Sequence, residues 1–312
     1  MEPALNQKSK APVVDHAKWA QRRGKLNAAD MIIHAILMLL TLCTIFPFYN
    51  VILMSFSNTV AISKQVVYLI PTTFDFSAYS YIFHEPRFLK AFYVTLFVTA
   101  AGTALNMLVT VSGAYVLSKN GFPGRKFIMS AILFTMFFNG GLIPFYLMMK
   151  NFGLINNLLV MILPVAVNTF YLIICIAFFR TLPAALEESA KIDGANEIQI
   201  LYKIILQISK PMIATIALFY AVDRWNEWWY GVLFMTDVQL LPLQALLREL
   251  LTNYQQLLSG INVSSVVAQN SQLRPEMLKM AVLVVSVLPI VCLYPFLQKY
   301  FSKGVMIGSI KG

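Results

Sequence analysis

Long apolar segments without a charged side chain constrain this chain more than any other feature of its sequence. Residues 31–56 and residues 91–118 contain no Asp, Glu, Lys or Arg. About 20 consecutive apolar residues are enough for a helix to cross the hydrocarbon core of a bilayer. Both segments exceed that length, so the sequence predicts an all-α integral membrane protein.

Six segments are predicted as transmembrane helices. They form one domain of residues 29–300, between an N-terminal tail of residues 1–28 and a C-terminal tail of residues 301–312. Residues 139–141 (Asn-Gly-Gly) and Pro144 interrupt the third span, so we expect its outer end to be irregular. The predicted spans are residues 31–56, 91–118, 127–149, 151–179, 205–222 and 280–297.

Basic residues predict the orientation of these spans. If the N-terminus is inside, sixteen of the 24 Lys and Arg residues fall in cytoplasmic segments and eight in outer segments. Basic residues concentrate on the cytoplasmic side of membrane proteins. We therefore expect both termini and the polar segment 184–200 in the cytoplasm, and the region 223–278 on the opposite, extracytoplasmic side.

Composition supports the membrane assignment and limits the alternatives. The chain is 58% hydrophobic and only 12% charged, whereas soluble domains are about 25% charged. The three cysteines lie in apolar segments, so we expect no disulfide framework. The net charge of +10 comes from residues that flank the spans, so we expect a lipid bilayer and not a nucleic acid as the partner.

The polar segment 184–200, which we call the elbow, lies between the fourth and fifth spans. Pro183 suits the first turn of a short helix, and Glu187 and Glu188 can pair with Lys191 on one face of it. Gly194 suits a left-handed residue that ends the helix. The alternative is an ordinary polar loop. A second helix is predicted from apolar residues at helical spacing: Ile198, Leu201, Tyr202 and Ile205.

Several kinds of chemistry are missing from the sequence. No phosphate-binding G-x-x-x-x-G-K-[ST] loop is present, and the three histidines are scattered. The spans also lack the embedded carboxylates that an ion-coupled carrier usually needs. We therefore expect a transport subunit that another protein powers. A stand-alone secondary carrier or channel for a polar solute is the alternative, and an intramembrane enzyme is disfavoured because no catalytic constellation appears.

Four segments resemble one family of membrane proteins. Residues 188–195 (Glu-Ser-Ala-Lys-Ile-Asp-Gly-Ala) resemble the cytoplasmic Glu-Ala-Ala signature of binding-protein-dependent ABC importer permeases. Residues 203–211 and residues 225–228 (Trp-Asn-Glu-Trp) follow the maltose-type, MalG-like carbohydrate uptake family. Residues 294–308 are similar to its LplC/YtcP-like subgroup, which is linked with complex oligosaccharides. The resemblance covers about residues 28–312.

The sequence departs from the family pattern at two positions. Ser189 replaces the first alanine of the signature, which exchanges one small residue for another. Gln207 stands where the family often has proline, and we expect this change to straighten the start of the fifth span. Neither departure removes the resemblance.

The resemblance implies a type I ABC importer permease fold and a function. The chain would be the permease subunit of an ATP-driven oligosaccharide importer in a bacterial cytoplasmic membrane, and not itself an enzyme. It would carry no cofactor, because ATP and Mg would bind to the partner ATPase. Its partners would be a second homologous permease, two cytoplasmic ATPase subunits and an extracytoplasmic solute-binding protein. The elbow residues that would couple it to the ATPase are Glu188, Ser189, Ala190, Asp193, Gly194 and Ala195.

Substrate contacts are predicted from residue type and depth. Aromatic faces and amide or carboxylate groups commonly hold sugars. For each candidate, the alternative is a structural role in helix packing, in a turn cap or as an interfacial aromatic anchor. The candidates for the substrate path are Asn139, Asn168, Asn226, Glu227 and Trp228.

Overall fold

The computed structural model describes residues 28–57, 74–258 and 277–292. Regular structure in these residues is helical, apart from one antiparallel bridge between Ser57 and Phe74. The predicted N-terminal tail, apart from Ala28, and the whole predicted C-terminal tail lie outside the described residues. The helices are α1 Ala28–Ser55, α2 Ser77–His84, α3 Pro86–Ser118, α4 Arg125–Phe137, α5 Leu142–Asn151, α6 Thr169–Phe179, α7 Ala184–Ile192, α8 Glu197–Ile208, α9 Lys210–Trp225, α10 Trp229–Phe234, α11 Leu243–Leu258 and α12 Met277–Cys292.

The chain divides into two compact units, Met1–Asn50 and Val51–Gly312. Within the first unit, the described residues belong to α1, which is apolar on all sides, as a helix surrounded by lipid is. Pro47 lies inside this helix. The predicted first span therefore corresponds to a single long helix.

Helix α3 is the central element of the second unit. It has 33 residues, which is about 50 Å of helix. Pro86 starts it, at a position where the missing N–H leaves no hydrogen bond unmade. Its buried residues recur at helical spacing, and it packs most extensively against α6 and α9. The helix is long enough to connect one side of a bilayer to the other.

Three of the remaining apolar segments are bent pairs of helices. Helices α4 and α5 meet at 114°, α6 and α7 at 72°, and α8 and the segment Lys210–Phe234 at 89°. The break between α4 and α5 falls at residues 138–141, where Gly141 has a φ of +87°. The predicted interruption of the third span is therefore confirmed.

Two predictions about the later spans are wrong. The fourth span was expected to run over residues 151–179, but after Asn151, the last residue of α5, only Thr169–Phe179 is α-helical. Gly153 and Asn156 adopt positive φ, which stops a helix from continuing. Gln207 does not straighten the start of the fifth span, because the 89° bend lies just beyond it. Pro211 explains the bend, since it has no N–H to bond the carbonyl four residues earlier and its ring would clash with that carbonyl in a continuous helix.

The described helices do not confirm the count of six spans. Two of them, Asp30–Ser55 and Pro86–Ser118, are long and apolar enough to cross a membrane. If each of the three bent pairs is also one span, the described residues contain up to five spans. The predicted sixth span, residues 280–297, overlaps α12, and its last residues lie outside the described part of the chain. The region 223–278 contains α10 and α11.

Candidate functional site

The elbow consists of α7, a turn and the start of α8. Asp193 ends α7, and Gly194 follows with a φ of +80°. The Gly194 N–H donates to the Lys191 carbonyl at 3.0 Å, and the Ala195 N–H donates to the Ala190 carbonyl at 2.9 Å. These two bonds form a Schellman motif, which satisfies the last carbonyls of α7. The predicted left-handed glycine is therefore confirmed.

A capping box begins α8 directly after this turn. The Asn196 side chain accepts the Gln199 N–H at 2.8 Å, and the Gln199 side chain accepts the Asn196 N–H at 3.0 Å. The box satisfies two N–H groups that the first turn of a helix leaves free. Both ends of the turn are therefore fixed by local hydrogen bonds, and the angle between α7 and α8 is defined.

The signature residues of the elbow divide between two faces. Ala190 is 6% exposed and belongs to the same apolar cluster as Tyr115 and Ile200, and Ala195 packs against that cluster. The other four signature residues, Glu188, Ser189, Asp193 and Gly194, are exposed. The alanines therefore seat the elbow on this chain's own core, and the polar residues face outward.

Ile192 is an exposed residue of the elbow that the sequence analysis missed. Its side chain is 86% exposed, beside Asp193. Ile198 on α8 is 70% exposed. Two aliphatic side chains therefore project from this polar segment. The signal in the sequence would have been an isoleucine inside the polar signature.

Helix α8 contains a π-helical turn over Ile200–Ile205. The wider turn buries Ile200, Leu201 and Ile205 and leaves Ile198 and Tyr202 exposed. The predicted second helix is therefore confirmed. The π-turn within it, which changes the regular period of 3.6 residues, was not predicted.

A lysine at the end of α3 connects to both helices of the elbow. Lys119 forms an ion pair with Glu187 on α7, and its Nζ lies 3.8 Å from Glu197 on α8. The same Nζ donates to the Tyr115 hydroxyl at 2.8 Å, and that hydroxyl donates to Glu197 at 2.8 Å. We call these four residues the lysine clamp. None of its ion pairs is evident from sequence spacing, because they join three helices.

The ion pairs predicted within α7 are replaced by others. Glu187 pairs with Lys119, while the Lys191 Nζ lies 2.7 Å from Glu197. Glu188 is exposed. The elbow lies outside the apolar spans. Two hydrogen bonds to Glu197, the stronger effect from Lys191 and the weaker from Tyr115, hold the pKa of its carboxyl below the ordinary value.

The three asparagines predicted for the substrate path make local hydrogen bonds. The Asn139 side chain accepts the Gly141 N–H at 2.9 Å within the break between α4 and α5. Asn168 caps α6, accepting the Phe170 N–H at 3.0 Å. The Asn226 side chain donates to the Val222 carbonyl at the end of α9. Each side chain thus has the structural role that was the alternative, although Asn139 and Asn226 remain exposed.

Glu227 lies near Arg224, and Trp228 lies near Arg248. Glu227 is 9% exposed and accepts the Tyr230 N–H at 2.9 Å. The guanidinium carbon of Arg248 lies 3.8 Å from the centre of the half-buried Trp228 ring, a cation–π contact. Arg248 therefore lies over one face of the aromatic ring among the five predicted residues.

Arg224 is a buried cation that the sequence analysis did not select. It is 7% exposed, and its guanidinium donates to the Met161 carbonyl at 2.8 Å. A Cβ atom at Gly102 would lie 2.8 Å from the Arg224 Cδ, so the glycine of α3 makes room for the arginine. Burying a charged group is costly unless it is hydrogen-bonded, as Arg224 is to the Met161 carbonyl. Within the described residues, no group of three or more His, Cys, Asp or Glu could hold a metal ion.

Comparison with known proteins identifies close relatives. Residues 113–307 match the family described as binding-protein-dependent transport system inner membrane component. The chain is 42% identical to Protein LplC of Bacillus subtilis (strain 168), over 86% of this chain and 90% of that protein. It is also 42% identical to the polygalacturonan/rhamnogalacturonan transport system permease protein YtcP of the same organism, over 91% of this chain and 98% of that protein.

A solved structure shares both fold and sequence with the chain. It comes from a bacterial ABC transporter involved in the import of the acidic polysaccharide alginate. The TM-score is 0.80 at 31% sequence identity, and the match covers 93% of this chain and 100% of that one. The bent helix pairs and the elbow therefore occur in a fold that is similar to that of an experimentally determined importer.

Proposed function

This chain belongs to the family of binding-protein-dependent transport system inner membrane components, and from that premise we propose that its elbow is the surface through which a cytoplasmic ATPase drives it. The chain is a permease subunit of an ABC importer and is a transport component, not an enzyme. A stand-alone secondary carrier, the alternative from sequence, is not the class to which its relatives belong.

The division of the elbow into two faces carries the proposal. One face, with Ala190 and Ala195, is seated on the core that includes the end of α3. The other face exposes Glu188, Asp193 and the aliphatic Ile192. Such a combination of polar and apolar groups suits a cleft on a soluble protein, where the apolar group is buried at the centre and the charges lie at the rim.

The proposed mechanism follows from how the elbow is attached. Closure of two ATPase subunits on ATP and Mg would move the elbow of each permease. Gly194 and the capping box of Asn196 fix the angle between α7 and α8, so the two helices would move together. The packed spans would then change from inward-facing to outward-facing, because closely packed interiors switch between discrete arrangements.

The assembly we propose contains more chains than this one. A second homologous permease would enclose the path, and an extracytoplasmic solute-binding protein would deliver the substrate. The distribution of basic residues supports both termini and the elbow in the cytoplasm. The membrane would be the bacterial cytoplasmic membrane, in keeping with the family's description as an inner membrane component.

The substrate we propose is a complex oligosaccharide, and acidic ones are the first to screen. YtcP is named for polygalacturonan and rhamnogalacturonan, and the solved relative imports the acidic polysaccharide alginate. Asn139, Asn168, Asn226, Glu227 and Trp228 are retained as path candidates, with Trp228 first, because the exposed Arg248 cation beside its ring suits an acidic sugar. Substrate-stimulated ATP hydrolysis by the whole complex would identify the sugar.

A pair of substitutions at Gly194 tests the coupling role. A valine at a φ of +80° is strongly disfavoured, whereas asparagine tolerates that conformation. No atom lies within 4 Å of a Cβ atom at this position, so the two variants differ in backbone preference and not in crowding. We expect Gly194→Val to insert normally but to lose most ATP-driven uptake, and Gly194→Asn to retain it. Normal uptake by the valine variant would contradict the proposal.

A further inference from the structure

We propose that Lys119 is a positioning residue that makes α3 follow the elbow when the ATPase moves it. The inference rests on the proposed function of the elbow and adds the element that receives the movement. Lys119 is the first residue after α3, so any force on its side chain acts directly on the end of that helix.

The geometry places one ammonium group between the two helices of the elbow. Lys119 Nζ contacts Glu187 on α7 and lies 3.8 Å from Glu197 on α8. Its side chain folds back over the Tyr115 ring, with Nζ 4.0 Å from the ring centre. Because α7 and α8 share one cation, neither can move away from α3 without separating an ion pair.

Partial burial makes the contact between Lys119 and Glu187 stronger than a typical surface pair, whereas the Glu197 side chain is 56% exposed. The Lys119 and Glu187 side chains are each 26% exposed, and the Tyr115 side chain is 4% exposed. An exposed ion pair contributes little to stability because water and salt screen it. Here partial burial reduces that screening, and the Tyr115 hydroxyl both accepts from the lysine and donates to Glu197. Networks of this kind are stronger than separate pairs.

Helix α3 can carry the movement away from the elbow. Thr110 hydrogen-bonds the Tyr220 hydroxyl of α9 at 2.7 Å, and Asn106 donates to the Val165 carbonyl at 3.0 Å. Near the other end of the helix, Thr95 accepts the Leu243 N–H at the start of α11 at 2.7 Å. A shift of the lysine-clamp end of α3 would therefore act on α9, on the turns before α6 and on α11.

The competing explanation is that Lys119 only marks the cytoplasmic side of the membrane. Lys126 provides a matched control for that role, because it lies in the same basic turn and is exposed at the start of α4. Lys119→Met keeps the aliphatic stem over Tyr115 and removes the ammonium group. Lys126→Met removes the same charge elsewhere in the turn, and Lys119→Arg keeps a cation at the lysine-clamp position.

The experiment is hydrogen–deuterium exchange on the complex purified with its native partners, with and without ATP and vanadate. We expect trapping to change exchange in peptides from the elbow and from the end of α3. In Lys119→Met the elbow should still respond while the α3 response is lost. Lys126→Met and Lys119→Arg should respond as the wild type does, and equal yields of complex would exclude a failure to assemble.

The outcomes separate the failure of this inference from the failure of the proposed function. An α3 response that persists in Lys119→Met, or that is absent from the wild type while the elbow responds, overturns the role of Lys119 alone. An elbow that shows no response in the wild type overturns the coupling role on which the inference rests.

Discussion

At the scale of single residues, the signature of the elbow has a physical explanation. Gly194 supplies the left-handed turn, and Ala190 and Ala195 stand on either side of the Schellman hydrogen bond and contact the core. This motif commonly brings together apolar residues at these two positions. The two alanines therefore hold the elbow against the core, and the exposed Glu188 and Asp193 are left available to a partner.

Residue-level reasoning from sequence succeeded where the cause is local. Gly194 could be predicted because a helix followed by glycine commonly ends in this conformation. The pairing of Lys191 was predicted wrongly, because the i,i+4 rule considers only one helix and Glu197 lies across the turn. The contact of Arg224 with Gly102 could not be predicted, since it depends on how α3 packs against α9.

Gly102→Ala tests the space that α3 leaves for the buried arginine. Its Cβ would lie 2.8 Å from Arg224 Cδ, and the guanidinium is held by the Met161 carbonyl, so the side chain cannot yield freely. We expect a loss of stability of about 1–3 kcal/mol, as for other overpacked sites. The readout is the temperature at which the detergent-solubilised chain aggregates.

Gly113→Ala is the matched control on the same helix. Its Cβ would meet Leu172 at 3.7 Å, an ordinary contact. Replacing a helical glycine by alanine gains about 0.5–1 kcal/mol when space allows. Equal stability of the two variants would show that Arg224 does not need the glycine.

At the scale of helices, the sequence predicted the long uninterrupted spans and missed the broken ones. The charge-free segments that became α1 and α3 were recognised because length and apolarity are sufficient for a helix in lipid. The same criterion extended the fourth span over residues 152–168, where left-handed residues and Pro164 prevent a continuous helix. Apolar composition describes the environment of a segment and not its backbone.

The seating of α7 on the core is testable by substitution of its buried alanine. Ala190 is 6% exposed, so Ala190→Leu adds volume to a packed cluster and should destabilise the chain by about 1–3 kcal/mol. We also expect weaker coupling, because the elbow would be displaced from α3. Ala185→Leu makes the same substitution at an exposed position of α7 and should leave thermal stability and uptake unchanged. Wild-type behaviour of Ala190→Leu would mean that the elbow is not seated as described.

At the scale of the whole molecule, the fold and the family agree on a permease. The fold class and the family could be predicted because both rest on patterns within the chain, namely apolar spans and the elbow signature. The partner proteins could not be predicted from the physical features of this sequence. The missing phosphate-binding loop indicates that another protein supplies the energy, but it does not indicate which one. Its relatives supply the class of the assembly.

The measurement that tests the central claim most directly is affinity purification of this chain from native membranes in mild detergent, followed by identification of every protein recovered with it. We expect recovery of a cytoplasmic ATPase and a second permease of the same family, because the proposed coupling role requires an ATPase to cover the elbow. Repeated recovery of the chain alone, in several detergents, would contradict it.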